Sequence, residues 1–394
     1  MHISSESIKV GHPDIVADTI AANIIATILD EEKTLKPGLT LQNMPHCGLE
    51  VFLGKGMCLI GGEVRTRVYV DIDKIARESV LTLGYNDSAV GLDGTSMGIL
   101  NTIIPQSPDI NQGTCMTLNH KGEIGAGDQG IMYGFACDET PELLPLPYVL
   151  ASRMMRAFEN CGDPDFAPDG KGQVSVEYDD ITGKPVRLAK VLMSNSIDYR
   201  NVKKSDKGKI KAKAKKIAFA CLEDWVDRKT EFFFNPTGEW QSVNACSAAD
   251  SGVTGRKLVV QFYGGFPGAQ MGGGAVVNKS PEKVDCSAAF GARHVAKNIV
   301  AAGLATKCSI QLAYAIGVAK PFSIYVDTFG TGKLPDRKLA ELVERTFDLT
   351  PGGMIEKFDL LNGNVYRKIP VTLFMDDYRW ERTDMVKKLR SAVK

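Results

Sequence analysis

Two ionisable residues flank a proline in the segment VGHPDIVAD, near the beginning of the chain. Pro13 suits the first position of a helix, which makes His12 the capping residue and puts Asp14 in the first turn. The free N–H groups of a helix N-terminus attract anions, and an aspartate there can hold a hard cation such as Mg²⁺. The segment therefore fits a phosphate and metal site, although plain helix capping explains it equally well.

A second segment, DSGVTGRK, places two adjacent cations after an aspartate. Asp250 precedes a glycine turn, and Arg256 and Lys257 follow at its far end. Adjacent cations repel each other unless they share an anion, so the pair predicts an anion site. Taken alone, the segment leaves a purely structural role open.

A third segment, MGGGAVVNKSPEKVDCSAAF, combines three glycines with two lysines and an aspartate. Ser280 is expected to cap a helix and Pro281 to take its first position, so that Lys279, Lys283 and Asp285 gather around its start. The pattern is neither GxxxxGK[ST] nor GxGxxG. It nevertheless indicates a phosphate and metal site, with a well-capped surface helix as the structural alternative.

A glycine-rich turn, GAGDQG, carries Asp128 where the backbone can approach a ligand closely. A structural Asx turn is the alternative. The sequence presents no Ser–His–Asp or Cys–His grouping and no zinc pattern of histidines and cysteines. The candidate residues therefore suit a bound polyphosphate with metal, and a nucleophile that comes from the substrate and carries no proton.

Both helices and strands must position these residues. Helical patterns occur in HPDIVADTIAANIIATILDEE, DKIARESVLTLGY, SPEKVDCSAAFGARHVAKNIVAAGL and DRKLAELVERTFDL. Strand patterns occur in CGLEVFL, GMCLIGGEVRTRVYVDI, the pair within GQVSVEYDDITGKPVRLAKVLMSN, RKLVVQFYGG, CSIQLAYAIGV and FSIYVDTFG. Strand pairs separated by helices predict an α+β protein whose sheets carry helices on one side.

Two stretches fall outside this pattern. The stretch from QSPDINQG to GEIGAGDQG is polar and glycine-rich, which predicts a functional loop. The lysine-rich tract from Lys203 to Lys216 predicts a solvated helix face. A nucleic-acid-binding patch would need interleaved arginines or aromatic residues, which the tract lacks.

The composition excludes several classes of protein. The 394 residues suggest two or three domains, and a net charge of zero gives no sign of DNA or an acidic membrane as partner. Nine cysteines without CxxC pairs predict reduced thiols in the cytoplasm. We expect neither a signal peptide nor a membrane span, which needs roughly 20 apolar residues.

In order along nearly the whole chain, these segments resemble those of the methionine adenosyltransferase (S-adenosylmethionine synthetase) family. The likeness rests on SES…GHPD, GGEV, QSPDINQG, GAGDQG, TGRK, YGG, GGGA, K…KVD, SAA, VAKNIVAAGLA and YAIGVA. The resemblance implies that ATP, L-methionine and water give S-adenosylmethionine, phosphate and diphosphate. The methionine sulfur would attack C5′ of ATP, and the released triphosphate would then be hydrolysed.

The resemblance also implies a role for each matching residue. The catalytic residues would be His12, Lys171, Arg256, Lys279 and Lys283. The ATP-binding residues would be His12, Lys171, Trp240, Asp250, Arg256, Lys257 and Lys279, with Trp240 stacked on adenine. The methionine-binding residues would be Glu63, Gln106, Asp128, Asp250, Lys283 and Ile316. Two Mg²⁺ would be held by Asp14 and Asp285, and K⁺ by Glu50 and Asp250.

The implied fold has three similar α/β domains around a pseudo-threefold axis. We expect an N-terminal domain at residues 1–112, a mobile active-site loop region at 113–124, a central domain at 125–245 and a C-terminal domain at 246–394. The loop over the site would begin at Gln106 and end near Leu118. The resemblance further implies a homodimer or a dimer of dimers, a flat sheet interface, and active sites between subunits.

The sequence departs from the family pattern beside several of these residues. The family reads HPDK where this chain has Ile15, GAFSGKD where it has GAVVNKS, KVDRS where it has Cys286, and DTYGG where it has QFYGG. It also has a cation commonly at the position of Glu239. Because the residues with implied roles survive, we expect an active enzyme. A nucleotide-binding regulatory or inactive homologue is the alternative.

Overall fold

The computed structural model describes residues 1–107, 123–200, 206–375 and 377–393, and it confirms a mixed α+β architecture. The strands are β1 (His2–Ile8), β2 (His46–Gly54), β3 (Met57–Arg65), β4 (Asn86–Asp87), β5 (Leu92–Asp93), β6 (Gly98–Asn101), β7 (Ile104–Pro105), β8 (Gly130–Cys137), β9 (Phe166–Tyr178), β10 (Pro185–Ile197), β11 (Glu231–Phe234), β12 (Gly252–Val253), β13 (Lys307–Tyr314) and β14 (Ser323–Asp327). The α-helices are α1 (Pro13–Thr34), α2 (Ile72–Thr82), α3 (Leu146–Asn160), α4 (Lys207–Cys221), α5 (Leu258–Phe262), α6 (Val284–Ala301), α7 (Asp336–Thr346), α8 (Pro351–Phe358), α9 (Gly363–Lys368) and α10 (Val386–Ala392).

The first sheet has the strand order β1-β9-β10-β11. β1 runs antiparallel to β9, and the register sets Ile8 opposite Lys171. Helix α3 packs on β1 and β9 with Met154 and Phe158 on its buried face. Since His12 follows Ile8 by only four residues, the pairing brings Lys171 near the beginning of α1.

The second sheet has the order β12-β2-β3-β6, and β7 also pairs with β3. Leu49, Val51 and Leu53 of β2 are buried on the side of α1, whereas Glu50 between them is exposed on the other face. This alternation is the period of two expected of a strand. Helix α1 is buried on most sides because α2 and α9 also pack against it.

The third sheet has the order β14-β13-β8, and α6 lies across β8 and β13. The helix can approach β8 directly because Gly134 has no side chain. A Cβ there would stand 2.0 Å from the carbonyl carbon of Ala292. The contact lies seven residues after Asp285, which is in the first turn of α6.

Each sheet draws its strands from distant parts of the chain. β1 pairs with β9, β12 pairs with β2, and β8 pairs with β13. The sheets thus join segments that are far apart in the sequence. The exact limits that we expect for the three domains stay a prediction. Residues 108–122 lie outside the described part of the chain, and with them most of the expected active-site loop.

Three predicted elements were wrong in type or extent. RKLVVQFYGG was predicted as a strand, because a brief apolar run does not distinguish strand from helix. It contains the short helix α5, in which Gln261 N donates to Lys257 O. The strand expected to continue through RVYVDI ends at Arg65. The helix expected to begin at Pro281 begins at Val284, because Ser280 pairs with β2 instead of capping.

The prediction for the lysine-rich tract is confirmed in the part of the chain that the structure describes. The exposed lysines of α4 form a solvated face, with Ile210, Ala214 and Ala218 buried beneath them. The eight cysteines described are all free thiols. None of the described helices combines the length and the apolar character that a membrane span requires.

Candidate active site

The first cluster of candidate residues forms where α1 begins, and we call it the α1 cluster: His12, Asp14, Lys171, Arg256 and Lys257. His12 caps the helix by accepting a hydrogen bond from Asp14 N at Nδ1, at 3.2 Å. Lys257 Nζ lies 2.6 Å from Asp14 Oδ2, and Arg256 Nε lies 3.9 Å from Asp14 Oδ1. The cluster thus brings two cations to one buried carboxylate, and a third, Lys171, lies near His12.

The imidazole of His12 is neutral and has a defined tautomer. Burial, together with the nearby cations of Lys171 and Lys257, lowers its pKa to about 3. Because Nδ1 accepts the hydrogen bond from Asp14 N, the single proton of the neutral ring lies on Nε2. His12 therefore offers one N–H donor and no charge to an anion at the helix start.

The second cluster lies beside β2 and α6, and we call it the α6 cluster: Glu63, Lys279, Lys283 and Asp285. Lys279 Nζ is 2.6 Å from Asp285 Oδ2, and Lys283 Nζ is 3.1 Å from Glu63 Oε1. Lys279 pairs with Gly48 of β2 in an antiparallel bridge. The segment before α6 therefore behaves as an added edge of the second sheet, which sets its lysines over the exposed face.

A buried ion pair supports this segment from below. His46 Nδ1 lies 3.2 Å from Glu282 Oε1, and both side chains are almost completely buried. Ser280 Oγ lies 2.8 Å from the same carboxylate oxygen and accepts from Cys47 N. Burial alone would raise the pKa of Glu282, but His46 and the hydrogen bond from Ser280 bring it below its ordinary value.

Glu50 joins the two clusters. Its carboxylate accepts hydrogen bonds from Thr254 Oγ1 on the side of the α1 cluster and, at 3.2 Å, from Asn278 Nδ2 on the side of the α6 cluster. β12 pairs with Phe52, and Lys279 pairs with Gly48, four residues away on β2. At roughly 3.4 Å per residue, the two attachment points are about 14 Å apart along the strand.

The remaining predicted residues are spread around these clusters. Asp128 is exposed in the turn before β8, and Ile316 is 48% exposed beside it, since Ala126 forms a bridge with Ile316. Gln106 follows β7, which pairs with β3 just beyond Glu63, and its Oε1 is buried without a hydrogen-bond partner among the described residues.

Two predicted ATP residues lie between β10 and β12. Trp240 is partly exposed, its Nε1 donates to Asn244 O at 3.0 Å, and its carbonyl accepts from Ile197 N. Asp250 is exposed and accepts from Ser251 N. Neither residue makes a hydrogen bond or ion pair with the α1 cluster among the described contacts.

Sequence reasoning missed Asp18, which is completely buried one helical turn after Asp14. Burial raises its pKa to about 7, against the hydrogen bonds from Gly255 and Gln261 that favour the charged form. The available signal was the spacing, because residues four apart share one face of a helix. It missed His46 and Glu282 as well, and no sequence signal pairs residues so far apart.

The carboxylates of Asp14 and Asp285 fit a divalent cation. Within the described ranges, no three histidine, cysteine, aspartate or glutamate side chains gather as a metal site. Mg²⁺ needs only one or two carboxylates when phosphate oxygens and waters complete its shell. Each aspartate already neutralises a lysine at 2.6 Å, so a cation can replace that lysine once the lysine turns to an anion.

Comparison with known families covers most of the chain in three consecutive pieces. The model of the S-adenosylmethionine synthetase N-terminal domain matches residues 1–108, that of the central domain matches 123–240, and that of the C-terminal domain matches 245–382.

Curated relatives match over nearly their full length. An S-adenosylmethionine synthase of Trichormus variabilis is 41% identical over 420 aligned positions, covering 99% of this chain and 96% of the relative. Another, of Gloeothece citriformis, is 39% identical with coverage of 99% and 96%. A third, of Helicobacter hepaticus, is 41% identical with coverage of 98% and 97%. The chain belongs to the S-adenosylmethionine synthetase family.

Proposed function

We propose that this chain is a methionine adenosyltransferase that makes S-adenosylmethionine from ATP and L-methionine. The sulfur of methionine attacks C5′ of ATP, the C5′–O bond breaks, and its electron pair leaves with the triphosphate. Water then cleaves the triphosphate into phosphate and diphosphate. A thioether sulfur carries no proton, so the first step needs no general base, in keeping with a site built of cations and carboxylates.

The observation that carries this proposal is the pairing of three cations with two aspartates on either side of Glu50, with Lys171 and Lys283 close to the same clusters. In the α1 cluster, Lys171, Arg256 and Lys257 neutralise the triphosphate, whose charge grows as the C5′–O bond breaks. His12 donates its Nε2 proton to a bridging oxygen of the triphosphate. As a neutral donor it binds the leaving group without adding a charge that must be dissipated later.

The α6 cluster and the residues around it bind methionine and the reacting part of ATP. Lys279 contacts the triphosphate, and Lys283 lies near the reacting groups. Methionine is held by Glu63, Gln106, Asp128, Asp250, Lys283 and Ile316. Trp240 stacks on adenine, and Asp250 links ribose and methionine. Holding sulfur in line with C5′ supplies much of the rate, since well-oriented reactants reach effective concentrations of about 10⁵ M or more.

Metal ions complete the site in this proposal. Asp14 and Asp285 each hold one Mg²⁺, and Glu50 and Asp250 contribute to a K⁺ site. When bound, these ions offset the negative charge of the triphosphate and orient it. Lys257 and Lys279, which pair with the two aspartates in the structure, would turn to phosphate oxygens instead.

The assembly is also part of the proposal. We infer a cytoplasmic homodimer, or a dimer of dimers, whose active sites lie between subunits. The separation of the α1 and α6 clusters along β2 supports this, because one chain sets its two metal-binding aspartates at different ends of the strand. A second copy can present its α6 cluster to the α1 cluster of the first.

The alternative, an inactive nucleotide-binding homologue, is opposed by the retention of both aspartates and of the cations around them. The deciding experiment mixes the purified protein with ATP, methionine, Mg²⁺ and K⁺, and detects S-adenosylmethionine and phosphate by mass spectrometry. We expect equal amounts of S-adenosylmethionine, phosphate and diphosphate. No product at micromolar enzyme, or full activity in Asp285→Asn, contradicts the proposal or its metal assignment, respectively.

A further inference from the structure

Residues 252–257, which comprise β12 and the turn that follows it, lie between β2 and α1 and carry both cations of the TGRK motif. Thr254 N donates to Val51 O at 3.1 Å, so one edge of the segment pairs with β2. The amides of Val253 and Gly255 donate towards α1 instead. Among the residues that the structure describes, α1 and no strand packs on that side.

Two carboxylates of α1 satisfy these two amides. Val253 N donates to Asp14 Oδ1 at 2.9 Å, and Gly255 N donates to Asp18 Oδ1 at 2.9 Å. The two aspartates are one helical turn apart, which matches the spacing of the amides that they accept. The helix therefore takes the place of a neighbouring strand through side chains.

The second oxygen of Asp18 is fixed as well. Gln261 Nε2 donates to Asp18 Oδ2 at 2.8 Å and to Pro370 O at 2.7 Å, so both protons of the amide are used. Gln261 itself is completely buried. The carboxylate of Asp18 consequently has one orientation, and the segment that it holds is tied both to α1 and to the C-terminal part of the chain.

We infer that Asp18 is a positioning residue that keeps Arg256 and Lys257 in place when Asp14 turns to its cation. This rests on the proposed function, in which Asp14 holds Mg²⁺. If Asp14 gives part of its carboxylate to the metal, the amide of Val253 loses its partner, and Asp18 remains as the anchor from α1. Asp18 touches no substrate and acts through Gly255 N.

The stability of the fold does not explain Asp18 by itself. Its carboxyl group is completely buried, and burial, together with the nearby charges of Asp14 and Glu50, raises its pKa. A buried carboxylate without a cation costs free energy, and an apolar residue or an amide at that position costs less. A role in holding the cations of the site accounts for a charge that the fold alone does not need.

The test compares Asp18→Asn with Glu32→Gln, since both carboxylates are completely buried on α1. Glu32 accepts from Arg67 and Thr66, away from the site. In Asp18→Asn we expect kcat/KM for ATP to fall between about tenfold and about 100-fold, because a small displacement of binding groups costs on that order. The KM for methionine, whose proposed binding residues all lie outside residues 252–257, stays within about twofold, as do all constants of Glu32→Gln.

Binding of inorganic tripolyphosphate, measured by calorimetry, separates this inference from the proposed function. We expect affinity about tenfold weaker in Asp18→Asn than in Glu32→Gln. If Asp18→Asn does not fold, Gln261→Met removes one donor to Asp18 and is expected to weaken binding by about threefold. The inference is overturned if the folded variant, Asp18→Asn or otherwise Gln261→Met, binds tripolyphosphate with unchanged affinity. A wild-type protein that makes no S-adenosylmethionine overturns the proposed function instead.

Discussion

At the scale of single residues, the site is defined by which charges are paired before substrate arrives. Asp14 and Asp285 are each bound by a lysine, and Glu63 is bound by Lys283. The cations are therefore held near their working positions without repelling one another. In the proposed function, ATP and metal ions exchange partners with groups that are already placed, which reduces the cost of ordering them on binding.

The buried pair of Glu282 and His46 gives a prediction about stability. Removing one partner of a buried pair leaves the other uncompensated, so Glu282→Gln should lower the free energy of unfolding by about 2 kcal/mol at pH 7. The pKa of Glu282 is lowered in the folded state, so its contribution is complete above the unfolded pKa near 4.3 and is lost as the pH falls through the folded pKa.

Urea unfolding from pH 7 to pH 3 measures the difference in free energy of unfolding between the wild type and Glu282→Gln. We expect the curves of wild type and Glu282→Gln to converge towards the acid end. The matched control is Glu31→Gln, because Glu31 is exposed on α1 and should shift stability by less than about 0.5 kcal/mol. A constant difference across the whole pH range would show that the charge of Glu282 does not stabilise the fold.

At the scale of elements, the triple glycine before the α6 cluster shapes the site because it lacks side chains. A Cβ on Gly274 would lie 2.2 Å from Asp285 Oδ1, whereas a Cβ on Gly273 would meet no atom within 4 Å. Gly274 therefore allows the backbone to pass directly beside the carboxylate. The next residue but one, Val276, is completely buried and anchors the segment in the core.

Gly274→Ala and Gly273→Ala form a matched pair of variants. The first should displace the carboxylate of Asp285 and lower kcat by about 100-fold with little change in melting temperature, since a flexible side chain gives way before the backbone does. The second should stay within about twofold of wild type. Steady-state kinetics across Mg²⁺ concentrations decide the matter, and equal activities of the two variants would refute the proposed place of Asp285.

Many of the helices and strands were predictable from the sequence. Long periodic segments such as α1, α6 and the β9–β10 pair were correctly predicted because burial repeats with their period. The α5 segment was predicted as a strand because its apolar run is too short to show a period. The start of α6 was misplaced because Ser280 meets a strand that precedes it by more than 200 residues, and local capping rules do not include such contacts.

The candidate site, too, was predictable only in part from the sequence. His12 as a helix cap and the lysines around Asp285 followed from residue types near helix ends. The family resemblance supplied the role of Glu50, and the structure adds its place between Thr254 and Asn278. Asn278 is a departure from the family pattern, yet its side chain also donates to Leu49 O at 2.6 Å and so fastens the α6 cluster to β2.

At the scale of the whole molecule, the sheets that tie distant segments together also separate the two halves of the site. β2 runs between the α1 cluster and the α6 cluster, and its free face carries Glu50. Exposed apolar residues continue that sheet, with Leu100 at 54% and Ile104 at 62% exposure. A second copy of the chain is the partner that the proposed function requires there.

The central claim is that the α1 cluster of one chain and the α6 cluster of its partner form one site. Co-expression of Asp14→Asn and Asp285→Asn chains with different affinity tags, followed by purification on both tags, isolates the mixed dimer. In this dimer one site carries both substitutions and the other carries none. We therefore expect about half of the wild-type activity, although each variant alone is nearly inactive.

The matched control pairs a wild-type chain with a chain that carries both substitutions, and S-adenosylmethionine formation is measured for both mixed dimers. If the sites form between chains, every site of the control has lost one aspartate, so it should be nearly inactive while the first mixed dimer is active. The reverse result, an inactive first dimer and a control with about half of the wild-type activity, would place both aspartates of each site in one chain and contradict this account.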